Sequence, residues 1–140
     1  MNIIFLLDIH RITMYLYIEV QCINKKSSML SKDLVAASAK PLILSILLYK
    51  ESYGYEIIQT VKKLSGGSME WTDGMLYPIL HRLEAQDLIE ATWKTSEEGR
   101  KRKYYKIRKE GKTALAAEQK QWNLVNSTLN RIWEEKSCLT

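Results

Sequence analysis

The sequence predicts a mainly helical α+β fold: three helices, a two-stranded hairpin and one long final helix. Three observations predict it. Apolar residues recur at helical spacing in three successive segments between residues 34 and 83. Two runs rich in β-formers flank a glycine-containing loop between residues 88 and 108. No proline follows Pro78, so residues 109–136 are free to form one uninterrupted helix. At 140 residues the chain is one ordinary domain and little more. With 46% hydrophobic and 26% charged residues it is globular rather than a disordered tail.

The first thirty residues differ from the rest. The apolar run Ile3–Leu7 is interrupted by Asp8, His10, Arg11 and Glu19, so it supplies no clean span of the roughly 20 apolar residues that a bilayer needs. It also lacks the basic start of a signal peptide. Lys25-Lys26-Ser27-Ser28 is a polar break. Three readings of residues 1–30 stand side by side: an extra helix packed on the core, a loose or partner-bound arm, or sequence upstream of a true start at Met29.

The first core helix is read from Leu34, Val35, Leu42, Ile43, Ile46 and Leu47, which share one broad face, with Pro41 as a kink or a late start. Ser52-Tyr53-Gly54 is a turn, with Ser52 as the cap of the next helix. That second helix places Tyr55, Ile58, Val61 and Leu64 on one side and Lys62 and Lys63 at its end, where the macrodipole favours cations. Ser65-Gly66-Gly67-Ser68 ends it; the Gly-Lys-Ser/Thr of a phosphate-binding loop is absent. The third helix opens at Thr72 or Asp73, either of which can cap, and Asp73 is expected to do so. Its stripe Leu76, Ile79, Leu80 and Leu83 is dry. Its other side carries Asp73, Tyr77 and His81. Pro78 falls where only the carbonyl of Gly74 loses a donor, so a bend or a later start is expected.

Leu88–Lys94 and Lys103–Arg108 read as the hairpin, with Trp93 and Tyr105 as its core. Three helices followed by such a hairpin outline a winged helix-turn-helix over residues 31–108. The charge is concentrated there. Residues 94–109 hold eight cations (Lys94, Arg100, Lys101, Arg102, Lys103, Lys106, Arg108 and Lys109) against Glu97 and Glu98, a surplus of six, while the whole chain carries only +5. Lysines on an edge strand can serve merely to prevent sheet-to-sheet pairing. Four consecutive cations, Arg100–Lys103, exceed that need and suit a phosphate backbone.

Residues 109–136 form the last predicted element, followed by a tail at 137–140. Leu115, Trp122 and Leu129 recur every seven residues, and Val125 and Ile132 fill the intermediate step. Glu118 breaks the seam near its start. A second copy of the chain is the simplest cover for this stripe; the alternative is that it folds back on the first helix of its own chain. Enzymatic chemistry is not expected. Cys22 and Cys138 lie at opposite ends, His10 and His81 are far apart in sequence, and no nucleophile–base pair or metal-ligand spacing occurs, so neither metal nor cofactor is expected.

Three motifs then carry a resemblance. Tyr53-Gly54-Tyr55-Glu56-Ile57, Leu76–Glu84 and Gly99-Arg100-Lys101-Arg102-Lys103-Tyr104-Tyr105, in this order and spacing, resemble the PadR family of transcriptional regulators over roughly residues 34–133. The single short C-terminal helix is similar to the branch that includes multidrug-sensing repressors. The resemblance implies a homodimer that binds double-stranded operator DNA; two cysteines make no disulfide framework, so a reducing cytoplasm is the default, and no membrane role is expected. The Leu76–Glu84 helix would enter the major groove, and the Arg100–Lys103 wing would lie on the backbone or minor groove. Expected DNA contacts are Thr72, Gly74, Tyr77, His81, Arg82, Arg100, Lys101, Arg102 and Lys103, with Lys101 and Lys103 foremost. Arg82 is read either as a phosphate clamp or as a partner of Glu84 or Glu56. The resemblance also implies a flat pocket at the dimer centre. There Trp122 would stack on a small aromatic effector, with Leu115, Val125, Leu129 and Ile132 at the interface. A winged-helix protein–protein module without DNA binding is the alternative.

Overall fold

The computed structural model describes residues 30–137. The readings of residues 1–29 and of the last three residues lie outside the described residues. Within them the order is α1 (Lys32–Tyr49), β1 (Ser52–Tyr53), α2 (Gly54–Leu64), α3 (Asp73–Ala85), β2 (Ile89–Thr95), β3 (Lys101–Ile107) and α4 (Lys109–Ser137). The strands form one antiparallel sheet in the order β1-β3-β2.

α1 starts where Ser31 accepts a hydrogen bond from the Leu34 amide at 3.2 Å, a side-chain cap that answers one of the helix's free donors. Pro41 is accommodated inside the helix without ending it. Ala39, Ile43, Leu44, Ile46 and Leu47 turn inward and form one wall of the core. Against them pack Ile57 and Val61 of α2, Leu76, Leu80 and Leu83 of α3, Ile89 of β2, and Tyr105 and Ile107 of β3.

The segment after α1 departs from expectation. Ser52 is not a helix cap. It is buried in β1, opposite Tyr105, and its hydroxyl donates to the Lys50 carbonyl. α2 opens instead after Tyr53, with no side-chain cap. Its buried face is Gly54, Ile57 and Val61, whereas Tyr55 and Leu64 are exposed. The rotation follows from Gly54, which must face inward because the Tyr77 ring occupies the space where a Cβ would stand. α2 ends on Gly66 and Gly67, both in the left-handed region, as the Ser-Gly-Gly-Ser signal predicts.

α3 buries Leu76, Leu80 and Leu83 of the expected dry stripe, with Ile79 only partly buried, and continues through Pro78. Thr72 occupies the cap position in an extended conformation but makes no side-chain cap bond, and Asp73 is the first helical residue. The expected Asp73 cap therefore does not form; its carboxylate stands in the first turn, where the macrodipole favours it. The chain leaves α3 through Asp87 in the left-handed region and enters β2.

The hairpin runs in register from Ile89 opposite Ile107 to Thr95 opposite Lys101, and Gly99 supplies the positive φ of its turn. Tyr105 is core, as expected. Trp93 is not: it is exposed, because β2 extends past the body of the domain after Ala91.

α4 divides into two parts. Gly111 is pressed against the Leu88 carbonyl, Leu115 is buried in the core, and Glu118 pairs with Lys40 of α1 at 2.9 Å. This first part folds back on its own chain. No residue between 119 and 135 is buried. At 1.5 Å per residue, roughly 25 Å of helix extends beyond the packed body.

Candidate nucleic-acid interface

The face of α3 opposite its dry stripe looks across a groove of about 790 Å³ onto the hairpin. Tyr77 and His81 line it from α3; Trp93, Arg100, Lys101, Arg102, Lys103 and Tyr105 line it from the hairpin. Tyr53, Gly54 and Tyr55 close the end where α2 begins. The predicted charge surplus and the predicted polar helix face thus meet across one concave surface. Tyr77 is partly exposed and rests its hydroxyl beside Gly54, so its ring orientation is fixed by the start of α2.

Of the remaining predicted DNA-binding positions, Gly74 and Arg82 lie on the same helix and Thr72 immediately precedes it. Thr72, Gly74, His81 and Arg82 are all exposed. Arg82 makes no ion pair among the described residues, because its two candidate partners are engaged elsewhere. Glu56 holds Lys50 and Glu84 holds Lys103. The Glu56 carboxylate beside Lys50 raises the lysine pKa above its ordinary value.

The hairpin cations stand over tyrosine rings. The Arg102 guanidinium lies 4.5 Å from the Tyr53 ring centroid, Lys103 lies 5.5 Å from that of Tyr105, and Lys94 lies 5.6 Å from that of Tyr104. Burial, with lesser contributions from neighbouring Tyr77 and Glu84, pushes the Tyr105 phenol up to about 12. Sequence reasoning missed the β1 residue Tyr53 as a member of this cluster, since two residues of strand leave no alternation to read.

The far part of α4 carries Trp122, Val125, Leu129 and Ile132 along one stripe. Trp122 is half-buried and the other three are exposed. Leu115 lies on the same stripe, but the structure places it in the intrachain core and not with these four. Glu118, the apparent flaw in the seam, marks where cover by α1 ends.

Residues 43–117, more than half of the chain, match the transcriptional regulator PadR-like family. The chain belongs to the PadR family. Several similar proteins agree with it along most of their own length. An uncharacterised protein of Lysinibacillus sphaericus is 33% identical over 106 residues, which cover 76% of this chain and 97% of that protein. The crystal structure of a PadR-like transcriptional regulator from Bacillus cereus is 34% identical, with a TM-score of 0.65, over 72% of this chain and 96% of the other. A transcriptional regulator from Clostridium thermocellum superposes with a TM-score of 0.67 at 27% identity, over 74% of this chain and 97% of the other. The fold is accordingly the winged helix of PadR regulators, with a long C-terminal helix. PadR proteins are regulators of transcription, not enzymes. Among the described residues no helix is long and apolar enough to cross a membrane.

Proposed function

We propose that this PadR regulator acts as a cytoplasmic homodimeric repressor that binds a two-fold operator and is released by a small aromatic effector. The observation that carries the reading is the groove in which α3, through Tyr77 and His81, faces the cationic hairpin. Such a helix fits a major groove, and flanking cations fit the phosphates on either side. Thr72, Gly74, Tyr77, His81 and Arg82 form the helix part of the DNA-binding surface, and Arg100 and Lys101 form the wing tip. Arg102 and Lys103 stand in the same groove.

The uncovered stripe of α4 supports the dimer. Val125, Leu129 and Ile132 are about half exposed in one protomer, an arrangement that a helical partner with the same stripe would bury. Trp122 would then face its counterpart near the two-fold axis and offer a flat surface for an aromatic or cationic effector. An effector there changes affinity only if it favours one spacing of the two wings over another.

The test is a mobility shift with the DNA upstream of the protein's own gene at about 100 mM salt or below, where phosphate contacts are strong. A discrete, competitor-resistant complex is expected. Absence of any shift would reject the reading in favour of a protein-binding module. Quenching of tryptophan fluorescence by flat aromatic compounds, abolished in Trp122→Ala, tests the effector pocket; equal quenching in both proteins would reject it.

A further inference from the structure

The four consecutive wing cations are not equivalent. Lys103 Nζ lies 3.2 Å from Glu84 Oε2, and the two side chains are only 27% and 35% exposed. Glu84 stands near the end of α3 and Lys103 stands mid-strand in β3, so the pair ties the helix to the wing. The same ammonium lies over the ring of Tyr105, which is fully enclosed in the core. Arg102 is similarly engaged, over the Tyr53 ring and 3.7 Å from Glu98. Arg100 and Lys101 are exposed and make no ion pair among the described residues.

We infer that Glu84 is a positioning residue: it holds Lys103, and through it the wing, at a fixed distance from α3, so that Lys103 is a strut while Arg100 and Lys101 neutralise phosphate. This inference rests on the DNA-binding reading above and divides its cations into two classes. A half-buried ammonium that already has a carboxylate and an aromatic face gains little from exchanging them for a phosphate. An exposed lysine at the turn releases the counterions of the phosphate that it meets. The wing is a two-stranded ribbon extending past the core after Ala91, and such a ribbon needs a lateral tie to keep one angle to the helix. Glu84 and Lys103 supply it at the level of the groove.

The experiment is the salt dependence of binding. The full chain is titrated onto a duplex of its own upstream sequence from about 50 to about 200 mM salt. Lys101→Ala and Arg100→Ala are expected to lower the slope of log affinity on log salt by about 0.9 for each phosphate that is no longer neutralised. Lys103→Ala and Glu84→Gln are expected to weaken binding several-fold at every salt concentration while keeping the wild-type slope. Their double variant should be no weaker than either alone, and Lys103→Arg should restore binding. A reduced slope in Lys103→Ala would make Lys103 a phosphate ligand and overturn the inference. So would unchanged affinity or a steeper slope in Glu84→Gln, which would make Glu84 a mere competitor for Lys103. If the wild-type protein fails to bind the duplex, the DNA-binding reading falls and the division falls with it; if wild-type binds and only the slopes disagree, the division alone falls. Should Glu84→Gln lower the melting temperature, the salt slope of Lys103→Ala still decides between strut and phosphate ligand.

Discussion

A methyl group at position 54 would stand 2.7 Å from the Tyr77 hydroxyl and 3.0 Å from the ring carbon that bears it. Gly54→Ala must therefore move Tyr77, and the ring presented to the groove moves with it. We expect a decrease of roughly 1–3 kcal/mol in stability, the usual range for overpacking. Gly54→Ala combined with Tyr77→Phe should recover most of it, because the nearest clashing atom is gone. Chemical denaturation of the two single variants and the pair checks this; additive decreases would show that the clash is not the cause. Tyr105 gives a second residue-scale prediction. Its phenol is held protonated up to about 12, above the ordinary 10.0, so its contribution is complete below pH 10 and is lost as pH rises through 12. Wild-type stability should fall more steeply over this window than that of Tyr105→Phe; superimposable curves would refute the assignment. At this scale the sequence showed which residues carry charge or a ring, but not their pairing. That Glu84 takes Lys103, 19 positions along the chain, rather than Arg82 is set by the tertiary fold, which no local spacing encodes.

The elements were more legible than their faces. The dry stripe of α3 follows directly from the spacing of Leu76, Leu80 and Leu83, and the double glycine marks the end of α2. β1 was hidden because a two-residue strand has no period. The face of α2 was misjudged because its packing is decided by a glycine and a distant tyrosine rather than by its own apolar residues. α4 reads as one periodic helix, yet its stripe is shared between two environments. Leu115→Ala should therefore destabilise the fold by about 2–5 kcal/mol. Gly111→Ala should be at least as damaging, since its Cβ would collide with the Leu88 carbonyl and backbone cannot yield as a side chain can. Thermal melts of both variants check this; a wild-type midpoint for either would show that the first part of α4 is not docked on its own chain.

For the molecule as a whole, the far part of α4 should govern assembly without governing folding. Ile132→Glu places a charge in the exposed stripe and leaves the domain core untouched. It should give a folded monomer by light scattering and circular dichroism, and a drop in duplex affinity of tenfold or more, since one half-site then has to suffice. A dimer that persists in this variant would place the interface elsewhere. The overall architecture was readable because the helix-helix-helix-hairpin order and the local charge surplus point the same way. The division of α4 into a part packed on its own chain and an uncovered part was only half readable, because a stripe does not declare which part its own chain will cover. The most direct measurement of the central claim is the affinity of the full chain for its own upstream duplex, compared at one salt concentration with a variant carrying Arg100→Glu and Lys101→Glu. The groove facing α3 predicts tight binding by the wild-type protein and a drop of at least tenfold in the variant with its fold intact; equal affinity of the two proteins would contradict it.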